Sequence, residues 1–237
     1  MGHPHDDEKT PPQHDRRALL GLAKVSAFVL IQAILLFLAA GDIGWTAGWA
    51  YIGITLIPAI VAALIMERSL IAERAGIGPG AKGWDVPLAL LMGRIGPLTT
   101  VIVAGLDHRF AWSASIAPGV RIAALCVGVL SVALTDWAVV ANPSSSGVVR
   151  IQRDRAHHTV TAGPYAAIRH PGYAGAIIFA LVSPLMLESL WALIPGGLQT
   201  LVAVVRTALE DRTLQTELEG YSEYSDRVRY RLVPGIW

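Results

Sequence analysis

Apolar and polar positions alternate in long blocks along this chain, and the block lengths set the first expectation. Mostly apolar runs cover about 19 to 40, 46 to 66, 86 to 106 and 118 to 140, each near the ~20 residues with which a helix crosses a bilayer's hydrocarbon core. A further run from Tyr173 to Val205 is too long for one crossing. Arg169 precedes it and Arg206 and Arg212 follow it, so both of its ends are expected on one side and the chain is predicted to turn back. Pro195-Gly196-Gly197 is the predicted turn, with Glu188 and Trp191 near the far interface and Pro184 bending the first arm. The predicted fold is all-α, a polytopic membrane protein of about six transmembrane helices including a C-terminal helical hairpin.

Charge orients this bundle. With the N-terminus in the cytosol, sixteen of the 19 Lys and Arg fall on the cytosolic side. Arg109 and Arg121 fall outside, and Arg94 lies within the third span. The positive-inside rule therefore predicts six crossings with both termini cytosolic, and it sets the 141 to 172 loop beside the C-terminal segment. The apolar run after Arg16 and Arg17 exceeds a signal-peptide core and is read as a retained anchor. The lack of a cleavable signal or retention tail fits a bacterial inner membrane.

Composition agrees: 53% hydrophobic and 16% charged residues, with a mean hydropathy of +0.49, exclude an ordinary soluble domain. A net charge of +1 with scattered basic residues excludes nucleic acid as a partner. Cys126, the single cysteine, excludes a disulfide framework and reads as a buried structural thiol. Residues 1 to 17 are polar and proline-bearing and are expected to form a disordered tail ahead of a single domain over 18 to 237. His3, His5 and His14 lack the accompanying ligands of a metal site, so no metal is expected.

Chemistry is concentrated in Gly163-Pro164-Tyr165-Ala166-Ala167-Ile168-Arg169-His170-Pro171-Gly172-Tyr173, where a basic loop meets the fifth apolar run. Pro171 is suited to the first position of a helix, and the free N–H groups beyond it favour an anion. The same block is also compatible with a plain helix entry carrying interfacial tyrosines. Arg206 and Glu210 are four apart, so on a helix they share a face and can pair or hold a common ligand. Asp136 and Asn142 lie at the cytosolic end of the fourth span, where they border a pocket or bond between helices. Tyr221, Tyr224, Tyr230 and Trp237 read as interface anchors.

The ordered set Gln152, His157-His158-Thr159-Val160, Gly163-Pro164-Tyr165, Arg169-His170-Pro171-Gly172-Tyr173, Arg206, Glu210, Tyr221-x-x-Tyr224 and Arg231-Leu232-Val233-Pro234 resembles the isoprenylcysteine carboxyl methyltransferase family, which belongs with the phospholipid methyltransferases. The resemblance is strongest over about 141 to 237, the expected catalytic part. Glu73-Arg74 through Trp84-Asp85, with Leu106-Asp107-His108-Arg109, resemble the amino-terminal half of bacterial members.

This resemblance implies S-adenosylmethionine as methyl donor in a cytosolic cofactor pocket. It also implies a lipid or isoprenoid acceptor, of prenylcysteine-carboxylate or phospholipid-amine type, entering from the membrane lipids. Carried over residue by residue, it assigns cofactor binding to Gln152, His157, His158, Thr159, Val160, Tyr165, His170, Pro171, Gly172, Tyr173 and Glu210, and catalysis with acceptor binding to Arg206. The family often has two adjacent glutamates where this chain has Glu210-Asp211. Two alternatives stay open: an NADPH-dependent membrane oxidoreductase resembling the sterol reductases, and a non-catalytic membrane scaffold.

Overall fold

The computed structural model describes residues 12–74, 76–152 and 157–237. His3 and His5, and most of the expected tail, lie outside them. Every described element is helical. In chain order these are α1 (Pro12–Ala40), α2 (Thr46–Ile65), the short α3 (Arg68–Arg74), α4 (Asp85–Leu90), a π-helical turn (Leu91–Ile95), α5 (Gly96–Phe110) and α6 (Pro118–Ala141). A 3₁₀ turn (Gly163–Ala166), α7 (Pro171–Met186), α8 (Leu193–Glu217) and α9 (Tyr221–Arg227) follow. Helix α1 therefore starts at Pro12, inside the stretch expected to be tail.

Three stretches, Leu19–Ala40, Asp85–Phe110 and Pro118–Ala141, are long and apolar enough to cross a membrane, and Pro171–Met186 is a shorter apolar helix. Outward faces confirm the setting, because Leu30, Leu38, Leu64, Ile122, Leu130 and Leu201 are all well exposed. Hydrocarbon rather than water suits such a surface. Cys126 shares that face of α6 and is exposed, so the expected buried thiol is corrected: it points to lipid, away from the bundle.

Small residues let the helices approach. A Cβ at Gly105 would lie 2.6 Å from the Leu36 carbonyl oxygen of α1, and one at Gly175 would lie 2.5 Å from that of Ser131 in α6. Both α5 on α1 and α7 on α6 are thus backbone-close crossings. Leu36, Val101 and Ala104 fill the interior beside them, and the Tyr51 hydroxyl donates to Gln32 Oε1 at 2.9 Å between α2 and α1.

The C-terminal hairpin forms, but its turn precedes the predicted one. Helix α7 ends at Met186 and α8 begins at Leu193, so Pro195-Gly196-Gly197 lies inside the first turn of α8. Proline is tolerated there because the first N–H groups of a helix have no intrahelical partner. The true turn is pinned by polar bonds: Ser189 Oγ donates to Asp107 at 2.5 Å and accepts the Ala192 N–H at 3.1 Å. At this same end, Glu188 pairs with Arg121 at 2.6 Å.

At the opposite end the sequence-distant segments close up as expected. The N–H groups of Arg169 and His170 donate to the carbonyls of Tyr230 and Arg231, each at 2.9 Å. Overpacking predicts the cost of disturbing these crossings: Gly175→Ala should destabilise by ~1–3 kcal/mol and lower the thermal midpoint in detergent. Gly53→Ala, inside α2 at a position with open space around it, should not lower that midpoint, since alanine is the better helix former.

Candidate functional site

Where α6 and α8 end and α7 begins, beside the C-terminal segment, the chain forms a cavity of about 810 Å³. His157, His158, Thr159, Val160, Tyr165, His170, Gly172, Tyr173, Arg206 and Glu210 all line it, as do Asp136 and Asn142. A second part of its lining, the apolar arm, comes from Leu22 and Val25 of α1, Ile71 of α3, and Val86, Ala89, Leu90 and Met92 around the π-helical turn, with Lys24 and Arg94 among them.

Two of the expected cofactor residues stand behind the wall. Pro171 is fully buried as the first residue of α7. Gln152 is fully buried too, its amide donating to the Ser144 carbonyl at 2.5 Å while Oε1 has no partner. Both lie buried against the loop and the helix start, off the cavity surface.

Arg206 lines the cavity but is already paired. Its Nε and Nη2 meet the two carboxylate oxygens of Asp85 at 2.6 and 2.8 Å, and Nη2 also donates to the Gly147 carbonyl at 2.9 Å. This forked pairing uses the face that was expected to hold an acceptor carboxylate. Nor does Arg206 pair with Glu210. The Tyr173 hydroxyl donates to Glu210 Oε2 at 2.5 Å, and the Arg206 guanidinium lies over the Tyr173 ring at 5.3 Å.

Asp85 escaped the sequence reading, although Trp84-Asp85 was part of the motif set and starts an apolar run on the basic side. It is fully buried and also accepts the Val149 N–H at 2.6 Å. Beside it, Arg150 makes a forked pair with Glu73 at 2.7 and 2.9 Å and donates to the Pro79 carbonyl. Together these bonds lash the 142 to 152 loop and α8 to the amino-terminal half.

A second buried carboxylate, Asp211, organises the opposite wall. It is fully buried and takes Arg169 at 2.9 Å, Arg231 at 2.8 Å and His170 Nε2 at 3.2 Å. The Tyr221 hydroxyl donates to it at 2.9 Å and Gln215 at 2.9 Å. Hydrogen bonds from His170 and Arg231, with the charges of His170 and Arg169, outweigh a still larger desolvation and hold its carboxyl below the usual carboxylate range. Tyr221 and Tyr224 are correspondingly buried rather than interfacial, with Tyr224 donating to the Tyr165 carbonyl at 2.7 Å. Burial, then the Asp211 carboxylate, raises the Tyr221 hydroxyl and keeps it a donor.

The rim between these clusters is fixed locally. Gly163 adopts φ +60°, a left-handed conformation open to glycine, and so starts the turn that presents Tyr165. The Tyr165 hydroxyl reaches the Ala138 carbonyl at 3.2 Å, and burial raises its pKa. Thr159 Oγ1 donates to the Glu219 carbonyl at 3.0 Å, which stitches the 157 to 160 strip to the end of α8. Desolvation first, then His158 and Arg150, lowers the His157 pKa and favours the neutral imidazole.

Residues 123–216 match the family model described as the isoprenylcysteine carboxyl methyltransferase (ICMT) family. Among solved structures, the eukaryotic intramembrane Ras methyltransferase ICMT shares the fold, with a TM-score of 0.56 at 18% identity, covering 90% of this chain and 75% of that one. The fold is thus ICMT-like. No curated protein sequence matches it. The ICMT match spans most of α6, the 141 to 172 loop, α7 and nearly all of α8, so it holds every lining residue of the expected cofactor set as well as Asp211. Asp85 and Arg74 fall outside it, in the half of the chain that completes the cavity.

Removing the Asp211 charge should destabilise strongly, because Arg169 and Arg231 would be left without their carboxylate. Asp211→Asn is expected to cost ~3–5 kcal/mol at neutral pH. The sign follows from the depressed pKa: the stabilisation is full above the ordinary carboxylate value and is lost as pH falls below it toward the folded value. Thermal midpoints measured against pH should therefore show the variant below wild type at pH 7 and converging with it in strong acid.

Proposed function

We propose that this chain is an S-adenosylmethionine-dependent methyltransferase acting on a lipid-like acceptor, with its cavity at the cytosolic membrane face and both termini cytosolic. The observation that carries the reading is one continuous cavity with a polar, tyrosine-lined end and an apolar arm between α1 and the π-helical turn. Its volume suits a small organic cofactor together with part of a second molecule.

The residues fit the cofactor's chemistry. Glu210 uses Oε2 for Tyr173 and keeps Oε1 without a protein partner among the described residues, so it can accept from hydroxyl or ammonium groups. The strip from His157 to Val160 supplies a wall of small polar and apolar groups, and Tyr165 and Tyr173 supply aromatic faces for a cation. Bound there, S-adenosylmethionine would supply an activated methyl on a sulfonium whose sulfur departs neutral.

For such a transfer the protein's task is alignment and exclusion of water. The Asp85–Arg206 pair keeps α8 in register with α4, so Glu210 and Tyr173 stay aimed at one space. The Asp211 cluster holds His170 and the start of α7 in place, which casts His170 as a positioning group rather than a general base. The apolar arm gives an isoprenoid or acyl chain a hydrocarbon-like path. The name of the matched family points to a prenylcysteine-type acceptor.

Calorimetry on detergent-purified protein with S-adenosylhomocysteine tests this reading. Wild type should bind, and Glu210→Ala and Tyr165→Ala should each weaken binding by about ten- to a hundredfold, the range for losing a charge-assisted bond or a buried contact. Undiminished affinity in both variants refutes the site. Binding of NADPH with none of S-adenosylhomocysteine decides for the reductase reading instead.

A further inference from the structure

The cavity's arginines are not equivalent. Arg206 is bound by Asp85, Arg150 by Glu73, and Arg169 by Asp211. Arg74, at the end of α3, is different: it lines the same cavity, and its side chain makes one hydrogen bond among the described residues, from Nη1 to the Ser145 hydroxyl at 2.7 Å. No ion pair engages it among the described residues. Tyr165, Tyr173, Asp136 and Arg206 line the same cavity. Lys24 and Arg94 also line the cavity, but from the helices that form its apolar arm, and Arg94 stacks over Phe28 of α1 at 4.3 Å.

A guanidinium in a cavity it shares with two tyrosines, with a neutral hydroxyl as its hydrogen-bond partner among the described residues, is a receptor for a planar anion. Arg74 lies one helical turn beyond Ile71 of the apolar lining, in the cavity that Glu210 also lines, so the head of a chain-bearing acceptor can meet it there. We infer that Arg74, rather than Arg206, takes the anionic end of the methyl acceptor, and that it selects a carboxylate over a neutral or cationic head group. This rests on the methyltransferase reading for the meaning of the ligand, but not for the existence of an anion site. Asp136, the opposing charge in the same cavity, would instead favour an amine acceptor, and that is the competing outcome.

The test uses the full chain in detergent and two probes of equal chain length, N-acetyl-S-farnesylcysteine and its carboxamide, with S-adenosylhomocysteine titrated separately. Wild type should bind the acid about tenfold or more tighter than the amide, the factor expected for a charge-assisted pair. Arg74→Gln should lose that preference while keeping amide and S-adenosylhomocysteine affinities, and Arg74→Lys should restore part of it; a matching loss of S-adenosylhomocysteine affinity in Arg74→Gln assigns Arg74 to the cofactor's own carboxylate and overturns the inference. An acid preference that survives Arg74→Gln overturns the inference, and so does equal binding of acid and amide by wild type. If S-adenosylhomocysteine fails to bind while the Arg74-dependent acid preference persists, the methyltransferase reading falls and the anion site stands.

Discussion

Asp85 and Arg206 are joined through both carboxylate oxygens in the interior of the protein, and the remainder of the site depends on that pairing. Each charge alone would be costly to bury, whereas together they are satisfied by each other, by the Val149 N–H and by the Gly147 carbonyl. The pair fastens the start of α4 to the middle of α8, elements 121 residues apart. It draws the intervening loop inward at the same point. A pair that organises in this way contributes specificity of arrangement more than net stability.

Around that fixed point the polar end is divided into two walls. Asp211 gathers Arg169, His170, Arg231 and Tyr221 on one side, and the Arg150–Glu73 pair holds the loop on the other. Between them Glu210, Tyr165 and Tyr173 face open space. The cationic groups of the motif region are thus mostly neutralised by the protein itself. Arg74, on an element outside the family-matched segment, keeps its charge directed at the cavity.

Most of the architecture was legible in the hydropathy pattern, because crossing a bilayer demands ~20 apolar residues per helix whatever their identity. The hairpin turn was less so: Pro195-Gly196-Gly197 has turn chemistry, but the first turn of a helix accepts the same residues, and Ser189 with Asp107 decided the position. The lining positions from His157 to Glu210 were legible as an ordered motif. Asp85 and Asp211 were not, since a single carboxylate beside an apolar run carries no sign of which distant arginine it will meet. Tyr221 and Tyr224 were misplaced to the interface for the same reason, their partners Asp211 and the Tyr165 carbonyl being tertiary.

The central claim is that one cavity, shaped by the Asp85–Arg206 pair, holds the methyl donor at its tyrosine-lined end. An experimental structure of the chain with S-adenosylhomocysteine tests it most directly. The ligand should lie between the 157 to 160 strip and Glu210, with Arg206 still on Asp85. A ligand bound elsewhere, or an Arg206 that leaves Asp85 to contact it, would contradict the account.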